Sequence, residues 1–182
     1  MYNLIFVDDE NGILEELCEM TLWEDMDIQV IGWCDNALSA LELMINEHAD
    51  ILITDIKMPV MSGLELISRA KEMYPAIECI VLSGYEEFEL ARAAIERGVR
   101  GYLLKPCTKE ELERSIRHCV QIIGKRYAKA SYEFEQRQEQ IESLYHALIN
   151  LPLGGEVQDE EMVYRIVVQN HDLGLLREAA II

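Results

Sequence analysis

Asp8 and Asp9 are adjacent and follow the apolar run Leu4-Ile5-Phe6-Val7, while Asp55 closes a later run, Ile51-Leu52-Ile53-Thr54. If the fold brings those two strand ends together, one site holds three carboxylates. Each ionised acid then raises the pKa of its neighbours, and burial adds to the cost. A divalent cation removes that penalty most simply. A few hard oxygen ligands, with room left for water and a phosphate, suit magnesium better than zinc or another transition metal. One of the three carboxylates can also serve as a nucleophile. Two further strand ends carry polar groups, Ser83 after Val81-Leu82 and Lys105 after Tyr102-Leu103-Leu104. The set is then acids, a hydroxyl and an ammonium on one edge.

The elements that must hold these groups are legible from hydropathy. Apolar, strand-length runs fall at 3–7, 28–34, 51–54, 77–82 and 101–104. Helical spacing separates them: Ile13, Leu14 and Leu17; Leu38, Leu41 and Ile45; Leu64, Ile67 and Ala70; Phe88, Ala91 and Ile95; then Leu112 and Ile116. Five alternations of strand and helix, with near-continuous apolar strands, predict an α/β fold with a parallel sheet covered on both faces by helices. Asn36 and Thr108 stand where N-caps are expected, and Pro59 and Gly63 punctuate the loop after Asp55. In open sheets of the flavodoxin-like order, chemistry gathers at the carboxyl ends of the first and third strands. Asp8, Asp9 and Asp55 fall at those ends.

Composition narrows the function. With 182 residues, half of them apolar, the chain can bury a full domain core and carry an extension. The net charge is −18; residues 1–118 hold 10 basic and 24 acidic side chains, the remainder 6 and 10. Such a surface repels a phosphate backbone, so a nucleic-acid role is expected only of a partner or of sequence outside this chain. Five cysteines without a Cys-x-x-Cys pair signal neither a disulfide framework nor a zinc site. No apolar stretch approaches the ~20 residues that span a bilayer, so no membrane role is expected and the cytoplasm is the expected location.

The motifs resemble, in order and spacing, the receiver domain of two-component response regulators. The likeness covers about residues 2–120. The wording Leu82-Ser83-Gly84-Tyr85-Glu86-Glu87-Phe88, then Gly98 and Tyr102-Leu103-Leu104-Lys105-Pro106, resembles regulators whose output is an AraC-type DNA-binding domain. A lone acid pair after an apolar run usually marks only a helix N-terminus; joint occurrence at successive strand ends outweighs that. The resemblance implies a flavodoxin-like five-stranded parallel sheet and no enzyme in the ordinary sense. Asp55 is then the phosphoacceptor, charged by a histidine kinase. Magnesium is held by Asp9 directly, Asp8 through water, Asp55 and the backbone carbonyl of Lys57. Lys105 supplies counter-charge, aimed by a cis bond to Pro106. Ser83 donates its hydroxyl to the new phosphoryl group, and Tyr102 turns from exposed to buried as the switch. Lys57 and Tyr85 flank the pocket, and the face of the fourth helix, fifth strand and fifth helix is the expected output surface.

Beyond the receiver, assigned 1–120, Ile116, Val120, Ile123, Tyr127, Ala130, Phe134, Ile141, Leu144, Leu148 and Leu151 alternate steps of three and four, with Arg137 in the seam. This heptad seam predicts a coiled-coil helix over 116–151 that prolongs the last receiver helix and joins two copies in parallel, or else folds back. Gly124 weakens it by ~1 kcal/mol against alanine. A homodimer through this helix or through the output face is expected, and residues 152–182 read as the start of a following region. Two other classes compete. One is a receiver that signals by protein contacts alone. The other is an aspartyl-phosphate hydrolase of the haloacid dehalogenase type, disfavoured because its acids resemble Asp-x-Asp and here they are adjacent. A flavodoxin-like electron carrier is disfavoured because Asp8 and Asp9 repel a flavin phosphate.

Overall fold

The computed structural model describes residues 1–10, 12, 23–84 and 88–149. The helix expected around Ile13–Leu17, Tyr85, and everything expected of 152–182 lie outside the described residues. Five strands appear, β1 Tyr2–Val7, β2 Ile28–Cys34, β3 Ile51–Asp55, β4 Glu78–Ser83 and β5 Gly101–Leu104. Each begins and ends within one residue of the apolar run that announced it. They form one parallel sheet of order β2-β1-β3-β4-β5. Four helices are described: α1 Ala37–Asn46, α2 Gly63–Met73, α3 Phe88–Glu96 and α4 Lys109–Ile149. They correspond to the second to fifth of the expected helices.

Side chains alternate across the strands and build two cores. On one face Ile5, Val7, Leu52 and Val81 meet residues of α1, α2 and α3. On the other Leu4, Phe6, Ile53 and Leu82 meet Leu112, Ile116, Cys119 and Ile123 of α4. Phe6 stacks on Trp33 at 4.3 Å and meets Trp23 edge-on at 5.4 Å. The helix starts are well capped. Asn36 accepts from Ser39 N–H at 2.8 Å, and Thr108 exchanges bonds with Glu111 at 3.0 and 3.3 Å. A capping box of Ser62 and Glu65, unnoticed in the sequence, opens α2.

Two expected faces are corrected. In α1 the buried residues are Ala37, Ala40 and Met44, whereas Leu38 and Ile45 stay half or more exposed. The helix is turned so that Ala37, Ala40 and Met44 face the sheet and Leu41 and Leu43 pack at the edge of the core. Gly32 of β2 leaves the room that the Leu43 side chain takes, since a Cβ there would lie 2.1 Å from it. In α3 Ala94 is buried and Leu90 and Ala93 pack against the core, while Ile95 is exposed.

The chain divides into two units, Met1–Lys125 and Arg126–Ile182. In the first, Ile116 and Ile123 are spent on the sheet and are not free to pair with a second helix. Gly124 also has a structural reason. A Cβ there would lie 3.3 Å from the Tyr2 hydroxyl, so the glycine lets β1 and α4 meet. In the second, α4 runs on to Ile149 with Tyr127, Phe134 and Leu144 more than half exposed and Ile141 buried.

Candidate functional site

Parallel pairing of β1 with β3 sets Val7 opposite Thr54, so the residues that follow each strand share one rim. Asp8, Asp9 and Asp55 each offer an oxygen there, and those oxygens lie within 4.8 Å of one another. Asp8 and Asp55 are buried; Asp9 is exposed. Backbone donors fix the two buried acids. Asp8 accepts from Glu10 N–H at 3.0 Å through Oδ1, and Asp55 from Ile56 N–H at 2.7 Å through Oδ1. Their other oxygens turn toward one cation, with Lys105 Nζ 2.6 Å from Asp8 Oδ2 and 3.4 Å from Asp55 Oδ2.

Lys105 reaches the rim from the turn after β5. Its N–H donates to Ser83 O at 2.8 Å, and the Lys105–Pro106 bond is cis, as the resemblance implied. Ser83 ends β4 fully buried. Tyr102 is half-buried and packs against the face that carries α3. Lys57 is exposed just beyond Asp55. The sequence-predicted residues Asp8, Asp9, Asp55 and Lys105 are therefore drawn together, with Ser83 at the adjoining strand end.

Charge at this rim does not balance. Burial pushes the Asp55 carboxyl above the ordinary 3.8; the Lys105 ammonium and the Ile56 N–H pull it down, and Asp8 adds to the rise. Asp8 Oδ2 is fully buried and takes no directional hydrogen bond, its charge being met by Lys105 at 2.6 Å. A buried carboxylate oxygen short of donors, beside two more acids, fits a hard divalent cation such as magnesium.

Residue types alone did not reveal everything that frames Asp55. The Ile56 N–H is a backbone donor and has no side-chain signature. The loop after Asp55 is tighter than its punctuation suggested. Met61 N–H donates to Pro59 O at 2.7 Å around Val60, whose φ of +69° is costly for a β-branched residue. That turn brings Gly63 back as the first residue of α2, against the end of β3.

This strand order, with an acidic rim and a lysine where β1 and β3 end, defines the class of CheY-like signalling domains. The family model of the response regulator receiver domain matches residues 4–117, and the chain belongs to that family. It is thus a receiver domain of a two-component response regulator, a signalling domain rather than a classical enzyme. Among its relatives is the uncharacterized transcriptional regulatory protein YesN of Bacillus subtilis, 39% identical over 120 residues, 66% of this chain and 33% of the relative. A two component transcriptional regulator AraC from Clostridium phytofermentans superposes with a TM-score of 0.66 at 27% identity, covering 70% of this chain and 99% of that one. The REC domain of AraT, a response regulator from Geobacillus stearothermophilus, gives 0.57 at 32% identity, covering 75% and 98%. The chain spans a third of the length of YesN. Among the described residues no helix is long and apolar enough to cross a membrane.

Proposed function

We propose that Asp55 accepts a phosphoryl group from a histidine kinase and that the acyl phosphate switches a transcriptional output. The observation that carries this reading is the cluster itself: three carboxylates within 4.8 Å, with one lysine spanning the two that are buried. An Asp55 oxygen bonds to phosphorus while the bond from phosphorus to the donor imidazole breaks, and the imidazole leaves with the bonding pair. Asp8, Asp9, Asp55 and the backbone carbonyl of Lys57 would hold magnesium, which when bound offsets charge on the phosphoryl oxygens. Lys105 follows the new charge, and the Ser83 hydroxyl donates to it. Hydrogen bonds to charged groups are worth ~1.5–3 kcal/mol each. Two of them approach the about 5.5 kcal/mol that reverses a two-state equilibrium from 1:99 to 99:1. Tyr102 then fills the space that Ser83 vacates and remodels the face of α3, β5 and α4.

Output follows through DNA bound by an AraC-type domain beyond these residues, in a cytoplasmic protein. A chain of net charge −18 does not itself hold DNA. Dimerisation proceeds through the exposed half of α4, at Tyr127, Phe134 and Leu144, or through the α3–β5–α4 face. Intact mass after treatment with acetyl phosphate and magnesium tests the acceptor. The wild-type chain should gain one phosphoryl group and Asp55→Asn none; a variant that still gains it refutes the assignment. Phe134→Lys separates the two interfaces, because a dimer that survives it uses the receiver face.

A further inference from the structure

Thr54 precedes the acceptor, is fully buried, and donates its hydroxyl to the carbonyl of the very next residue, Asp55 O, at 2.9 Å. Gly63 closes on the same carbonyl from the other element. A Cβ built on it would lie 1.8 Å from Asp55 O and 3.0 Å from Thr54 Oγ1, and its own N–H donates to Ile56 O at 2.9 Å. The peptide that joins Asp55 to Ile56 is trans and planar, so its C=O and N–H point in opposite directions. Holding the carbonyl on the Thr54 and Gly63 side therefore aims the Ile56 N–H to the other side. There it meets Asp55 Oδ1 at 2.7 Å. With Oδ1 occupied, Oδ2 is the oxygen left facing Lys105 Nζ, at 3.4 Å.

We infer that Thr54 is a positioning residue for the phosphoacceptor: its hydroxyl, with Gly63, fixes the Asp55–Ile56 peptide plane so that Oδ1 is tethered and Oδ2 is the attacking oxygen. This rests on the reading of Asp55 as acceptor. In the step concerned, Oδ2 forms the bond to phosphorus as the bond to the donor's leaving oxygen or nitrogen breaks, and the leaving group keeps the electron pair. Without the hydroxyl the peptide can rock about its flanking Cα atoms, and the carboxylate rotates with it. A displacement of that kind lowers rate more than affinity, because reacting atoms tolerate little misplacement. The plainer role for a buried threonine is to satisfy its own hydroxyl or to pack its methyl. Substitutions separate these roles. Valine keeps the shape and loses the donor; serine keeps the donor and loses the methyl.

The test uses the full chain with acetyl phosphate and magnesium. Thr54→Val should lower the maximal rate of Asp55 phosphorylation on the order of tenfold while the half-saturating magnesium and acetyl phosphate concentrations move less than about twofold. Thr54→Ser should recover most of the rate. In parallel, and independent of phosphoryl chemistry, the Ile56 amide proton should lose its downfield shift and exchange protection in Thr54→Val but not in Thr54→Ser. Should valine prevent folding, Thr54→Ala serves the same two measurements. A wild-type rate and an unchanged Ile56 amide in Thr54→Val overturn the inference, as does a serine variant as slow as the valine one. A wild-type chain that takes no phosphoryl group at Asp55 refutes the acceptor reading instead, and the amide measurement still reports on the tether.

Discussion

The two ends of one sheet hold buried charge in opposite ways. At the amino-terminal rim Glu78, 1% exposed, meets the Arg100 guanidinium at 2.5 Å, and that bond raises Arg100 further above its ordinary value. Nearby Asp50 accepts from Asn3 N–H at 2.9 Å and lies 3.4 Å from His48 Nε2. At the carboxyl-terminal rim, among the described residues, Asp8 and Asp55 share the Lys105 ammonium while Asp9 stands beside them. Matched charge at the first rim ties β4 to the start of β5 and leaves nothing for a ligand to do. Unmatched charge at the second leaves a place for a cation and a reacting group.

Breaking the matched rim should give the largest effect on stability. Arg100→Ala takes the guanidinium from a buried Glu78, and such loss costs about 3–5 kcal/mol for a fully buried pair. Because Arg100 is 40% exposed, about 2–3 kcal/mol is expected here, read from urea denaturation. Phosphoryl uptake by the folded fraction should be unchanged.

Relieving the unmatched rim should act in the other direction. Asp55 has a raised pKa in the folded state, so its share of stability is present below its ordinary 3.8 and is lost as pH rises through the raised value. Without magnesium, Asp55→Asn should therefore melt a few degrees above wild type at neutral pH, with the gap closing toward pH 4. Melting curves across that range decide it; a gap that stays constant or reverses removes the reading of Asp55 as a carboxylate destabilised by burial and, to a lesser degree, by Asp8.

The sheet interior between the rims should be inert. Burial pushes the thiols of Cys34, Cys79 and Cys119 up to about 11, 12 and 12, so at pH 8 they should react with a thiol reagent only on unfolding. Half-buried Cys107 should label first among these four, as peptide mapping after brief exposure would show.

The sequence displayed the unmatched rim far better than the matched one. Acids that end apolar runs are visible because strands buried on both faces read as continuous hydrophobic segments, and the polar residue that stops each run marks the rim. Lys105 and Ser83 were legible for the same reason. The pair of Glu78 and Arg100 was not, since 22 positions separate them and neither ends a run. Helix faces were harder still. Leu38 and Ile45 fit the helical period as well as Ala37, Ala40 and Met44 do, and packing against the sheet, where Gly32 makes room for Leu43, turns the second set inward. The Thr54 hydroxyl and the Ile56 N–H act through a peptide plane, which no residue pattern displays. The seam of the last helix was real as a pattern but served two purposes, with Ile116 and Ile123 in the core and Tyr127 and Phe134 outside it.

Calorimetric titration with magnesium tests the charge excess most directly. The wild-type chain should bind a single ion, Asp9→Asn and Asp55→Asn should each lose affinity on the order of tenfold or more, and Glu78→Gln should bind as wild type does. Absence of binding to the wild-type chain, or affinity untouched by the loss of Asp9 and of Asp55, would contradict the account.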